Sequence, residues 1–121
     1  AGATAEADGV YGLAREPLAA VLRDHPDAAV YHNDLAWQAA NCRRELDDAL
    51  THARRATALA PDNTSYADTL AEVHFRRGER AKAVEIMAEL VAKTHGDRAY
   101  FRAQLERFRN GDVASPPPDE E

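Results

Sequence analysis

The chain has 121 residues, 45% of them apolar and 30% charged, with a formal net charge of −6. That length fits one compact domain. The acidic balance argues against a duty on bulk nucleic-acid phosphate, and no apolar run approaches the ~20 residues of a membrane span.

The single cysteine, Cys42, excludes an internal disulfide framework. Alanine dominates the apolar set and is the strongest helix former, so the composition points to an all-α fold with close helix contacts. Residues Ala1–Gly9 are small, polar and acidic and read as a flexible leader. From Val10 to Asp24 the apolar residues recur at helical spacing. Pro17 interrupts them, which predicts a break near Arg15–Glu16 and a short helix starting at Pro17. His25-Pro26-Asp27 ends that helix.

A helix follows over about Ala29–Asn41, with Leu35, Ala36 and Ala39 inward. Cys42-Arg43-Arg44 forms a turn. The next helix, about Glu45–Leu59, carries Leu46, Ala49, Leu50, Ala53 and Ala56 on one face. Ala60-Pro61-Asp62-Asn63 stops it, and Thr64 or Ser65 can cap the helix that follows. That helix spans about Ser65–Arg77, with Leu70, Ala71, Val73 and His74 inward, and ends at Gly78. Another runs over about Arg80–Thr94, with Ala83, Val84, Met87, Leu90 and Val91 apolar, and closes at His95-Gly96-Asp97. The last, about Arg98–Asn110, places Tyr100, Phe101, Leu105 and Phe108 on one side and arginines on the other. Such a mix suits a terminal cap. Residues 111–121 form a proline-rich acidic tail whose composition cannot build a core.

Ala49, Ala56 and Pro61, then Leu70, Ala71, Gly78 and Ala83, keep a period close to 34 residues. This pattern resembles the tetratricopeptide repeat, a helix–turn–helix unit that stacks into α-solenoids. Ser65–Asp97 matches closely. The repeat before it fits only if the turn near Cys42–Arg44 holds one extra residue, and His25-Pro26-Asp27 resembles the end of a partial repeat before that. Leu90 and His95 depart from the usual alanine and proline, which reads as the end of the array. The expected organisation is a leader (1–9) and a helical domain (10–110) followed by the tail (111–121). The helical domain comprises a partial repeat (10–28), two repeats (29–63 and 64–97) and a capping helix (98–110).

The resemblance implies a non-catalytic protein–protein interaction module, a scaffold or adaptor, with the first helix of each repeat lining a concave groove. By position this assigns Asn33, Trp37 and Asn41, then Asp68, Glu72, Phe75 and Arg76, then Arg102, Glu106 and Arg109 to a partner-binding groove. Trp37 and Phe75 would be apolar anchors there; the alternative for each is packing between helices. The Lys/Asn clamp by which some members hold a peptide's C-terminal carboxylate is missing. The matching positions hold Asn33, Trp37, Thr69, Ala99 and Ala103.

His25, His32, His52, His74 and His95 show no i, i+3 or i, i+4 pair, so no metal site is expected from helical spacing. His74 reads as a core histidine with one hydrogen-bond partner. No phosphate loop, nucleophile elbow or paired-acid motif appears, so no cofactor and no enzymatic activity are expected. The expected partner is a protein or peptide, with no nucleic acid and no direct membrane insertion. A fixed accessory subunit, the end of a longer array or a homo-oligomer that docks through its N-terminal edge is the alternative. No signal peptide is recognisable, and the cytoplasm is favoured over an exported location.

Overall fold

Pro26, Pro61, Gly78 and Gly96 fall between helices in residues 16–119, the part of the chain that the computed structural model describes, and Pro17 sits in the first turn of a helix. The leader expected over Ala1–Gly9, the break near Arg15 and the last two tail residues lie outside that range. The described residues hold six helices and no strand. They are α1 (16–24), α2 (Ala29–Cys42), α3 (Leu46–Leu59), α4 (Thr64–Arg76), α5 (Arg80–Lys93) and α6 (Ala99–Asn110). From α2 on, each helix packs against the next, and α2 also touches α4. Short connections between packed neighbours make each pair antiparallel. The contact between alternate helices sets α2 and α4 on one side of the array.

The turns explain the loose phase of the first repeat. After α4, Gly78 takes a left-handed conformation (φ 84°), and its N–H and that of Glu79 return to Phe75 and His74. Arg43 does the same after α2 (φ 55°), with N–H bonds from Arg43 and Arg44 to Ala40 and Ala39. This is the Schellman ending. Between Gly78 and α5 lies Glu79 alone, whereas Arg44 and a second left-handed residue, Glu45 (φ 49°), separate Arg43 from α3. The first turn therefore contains the extra residue that the spacing demanded, held without glycine. His95 (φ 54°) ends α5 in the same way.

Asn63, rather than Thr64 or Ser65, caps α4. Its extended backbone brings Oδ1 within 3.1 Å of the Tyr66 N–H, while Thr64 is already in the helix. The side chain thereby satisfies one of the amides that a helix start leaves unpaired.

Two clusters form the core. Ala36, Ala39, Ala40, Ala49, Leu50 and Ala53 join α2 to α3, with Val73 reaching in from α4. Ala71, Phe75, Ala83, Met87, Leu90, Tyr100, Phe101, Leu105 and Phe108 join α4, α5 and α6. Phe75 and Phe108 lie 4.8 Å apart, centroid to centroid, in a tilted pair, a favourable arrangement for aromatic rings. His74 is buried and has Glu79 3.1 Å from its Nδ1.

Composition alone assigned the tail no place in the core, yet residues 111–115 strap across the end of the array. Val113 packs on the second cluster. Arg76 Nη1 donates to the Val113 carbonyl at 2.9 Å, and Arg107 Nη2 to the Ser115 carbonyl at 2.7 Å. Arg80 donates to the carbonyls of Phe108 and Gly111. A Cβ on Gly111 would sit 2.6 Å from the Arg107 carbonyl oxygen, so only glycine allows the chain to leave α6 here. Three arginines satisfy the carbonyls that a helix end and an irregular strap would otherwise leave unpaired.

Candidate functional site

A pocket of about 400 Å³ opens between α2, α4 and the start of α6. Helical spacing builds two of its walls: Asn33, Asp34 and Trp37 on α2, and Ser65, Asp68 and Thr69 on α4. Arg98, Tyr100 and Phe101 close the third. The Arg98 guanidinium lies 4.5 Å from the centre of the Phe101 ring, in cation–π distance.

Beneath this pocket lies a buried ionic network between α4 and α6. Glu72 has no solvent exposure and accepts four bonds. Arg107 approaches both carboxylate oxygens, at 2.6 and 2.7 Å, Arg76 Nε donates at 2.8 Å and Gln104 Nε2 at 3.0 Å. The Gln104 amide also reaches Asp68 Oδ1 at 2.9 Å, which links network to pocket. Arg107 completes its fork on Ser115, with Nε donating to Oγ at 3.1 Å.

The two carboxyls respond oppositely. Burial pushes Asp68 up to about 7; the Gln104 hydrogen bond opposes this, the Glu72 charge adds to it, and Tyr100 and Arg107 oppose it. Burial would raise Glu72 as well, but the Arg107 fork, then Gln104 and Arg76, hold it below the usual carboxylate range. Asp34, on the pocket wall, is raised by burial.

The residues expected to line a groove divide into four groups. Asn33, Trp37 and Asp68 meet at the pocket. Glu72 and Phe75 are fully buried and Arg76 nearly so; these three are corrected from groove wall to interior. Phe75 fills the aromatic core, and Glu72 and Arg76 pair with each other. Asn41 stitches helices together, its Nδ2 on the Trp37 carbonyl at 3.0 Å and its Oδ1 3.4 Å from Arg76 Nη2. Arg102, Glu106 and Arg109 are exposed and do not line the pocket. Arg102 bonds the Gly96 carbonyl, and Glu106 accepts from Asn110 at 2.6 Å. The face that α6 turns to α4 carries Gln104 and Arg107 instead.

Sequence reasoning did not single out Asp34, Ser65, Arg98 or Tyr100 for the pocket. Asp34 neighbours Asn33 and sits one turn before Trp37, so its position beside that face was the available signal. A histidine pair across helices was also missed: His32 Nδ1 lies 2.8 Å from His52 Nδ1, and His32 Nε2 lies 2.7 Å from the Pro26 carbonyl. No group of three or more His, Cys, Asp or Glu side chains suited to a metal comes together among the described residues. None of the described helices is long and apolar enough to cross a membrane.

Fold and site define an all-α array of helix–turn–helix units with a polar, aromatic-walled pocket on the α2/α4/α6 side. Set against known proteins, the chain matches no family model, no curated protein and no solved structure.

Proposed function

We propose that this domain is a non-catalytic protein–protein interaction module of tetratricopeptide type, which receives a partner segment along α2, α4 and the start of α6. The pocket carries this reading. It opens on the side where the first helices of successive units lie, and an aromatic side chain, Trp37, stands among carboxylates and hydroxyls. Aromatic anchors within a polar surround are typical of protein interfaces. The helices that frame the pocket are fixed from behind by the Glu72–Arg107–Arg76 network, so a partner would dock on a preformed surface with little ordering cost.

Selection of a displayed random-peptide library on the immobilised full chain tests the proposal. Enriched peptides should lose binding to Trp37→Ala and to Ser65→Arg, which fills the pocket from its exposed rim, while circular dichroism stays that of the parent. Failure to enrich any peptide, or enrichment indifferent to both substitutions, overturns it.

A further inference from the structure

Several polar groups around the pocket already have partners, Asp68 among them, which accepts from Gln104 Nε2 at 2.9 Å. The Thr69 hydroxyl bonds the Ser65 carbonyl at 3.1 Å, Tyr100 hydrogen-bonds Asp68, and Arg98 lies over Phe101. Asp34, by contrast, has no ion pair or hydrogen bond among the described residues. The Asn33 side-chain oxygen is buried with no donor in reach. An unpaired carboxylate, a second carboxylate at Asp68 and an indole ring all favour the same kind of guest.

We propose that the pocket takes a cationic side chain of the partner, the guanidinium of arginine or the ammonium of lysine, between the Asp34 and Asp68 carboxylates beside Trp37. This rests on the groove being the partner-binding face and names what that face recognises. Carboxylates are pure acceptors when ionised, and Lys and Arg are pure donors. Bonds between them are charge-assisted, and the indole face adds cation–π attraction. Arginine suits the site better than lysine, because its planar fork can address two carboxylates and an aromatic wall together.

A pH dependence follows. The groups facing Asp68 are Glu72 on its own helix, Tyr100, Gln104 and Arg107 on α6, and Asp34 and the Arg98 guanidinium, drawn over Phe101, around the pocket. Its carboxyl titrates at about 7, and a bound cation favours the ionised form. Affinity therefore rises as pH climbs through neutrality and falls as Asp68 takes up its proton.

The test uses Trp37, the chain's only tryptophan, as an emission probe on the full chain. Two capped tripeptides are titrated: Gly-Arg-Gly and Gly-citrulline-Gly, which keeps the shape without the charge. The arginine peptide should change Trp37 emission saturably and bind about tenfold tighter than the citrulline peptide, the worth of one charge-assisted bond. Asp34→Asn should remove most of that preference, and Asp68→Asn should remove its pH dependence. Equal binding of the two peptides, or no response to either, overturns the cation assignment. If selected peptides still depend on Trp37 in that case, the groove itself stands and only the nature of its guest was wrong.

Discussion

The two halves of the array bury different things. Between α2 and α3 the buried apolar cluster is nearly all alanine, with no phenylalanine, tyrosine or tryptophan. Between α4, α5 and α6 it is built from phenylalanine, tyrosine, methionine and leucine, and behind them lies a buried ionic network. Alanine lets helix backbones approach closely but gives each residue little surface to bury, so the first half depends on tight fit. Large side chains in the second half remove more apolar surface from water. The second half can therefore carry the cost of burying charge, and it is this half that fixes the C-terminal strap.

Substitutions can break or sharpen that contrast. The largest effect is expected from Arg107→Met, which strips Glu72 of its bidentate partner in a site without solvent. Leaving a buried charge underpaired costs about 3–5 kcal/mol, read as a fall in the urea midpoint. The double change Glu72→Leu with Arg107→Met should recover much of that loss, because the unpaired charge leaves with its partner.

Next is Asp68→Asn. The Asp68 carboxyl is raised in the fold from 3.8 to about 7. A raised carboxyl favours the fold while protonated, and that stability is lost as pH rises from the unfolded value through the folded one. The Asn variant should gain on the parent between about pH 4 and 7 and then hold a lead of about 2–4 kcal/mol. Parallel melting temperatures across that range would refute the buried-acid account.

In the alanine half, Ala53→Leu should cost about 1–3 kcal/mol, since no space remains between α2 and α3 for the added atoms. Met87→Leu, a volume-conserving swap in the other cluster, should cost less than about 1.5 kcal/mol. Differential scanning calorimetry of the two variants compares them directly. The smallest effect is a gain: Arg43→Gly relieves a left-handed residue (φ 55°) in the first turn and should add about 0.5–1 kcal/mol. It would give that turn the glycine that its counterpart already has at Gly78.

Much of the fold was legible because breakers and small residues act locally. Pro26 and Pro61 stop helices by restricting the backbone, and Gly78 by taking the left-handed conformation at no steric cost (φ 84°), whatever surrounds them. The extra residue before α3 was readable as a phase shift between Leu35 and Ala49. The site was less legible because charge is read as solvent-facing unless its partner is known. Glu72 is buried only because Arg107, 35 residues on, meets it, and nothing local announces that pairing. The same holds for the strap: Val113 reaches the core because Arg76 holds its own carbonyl while Arg80 and Arg107 hold those of Gly111 and Ser115 on either side. On α6 the apolar face of Tyr100, Phe101, Leu105 and Phe108 is legible and buried, but repeat position alone points to Arg102, Glu106 and Arg109 for the groove and gives no sign that Gln104 and Arg107 turn to α4.

The most direct measurement is an amide chemical-shift map of the labelled full chain during titration with the tightest selected peptide. The account predicts shifts concentrated at Asn33–Trp37, Ser65–Thr69 and Arg98–Phe101, with the Trp37 indole among the largest, and little change on the outer faces of α3 and α5. Shifts gathered instead at residues 24–31, on the N-terminal edge, would contradict it and move the binding face away from the pocket.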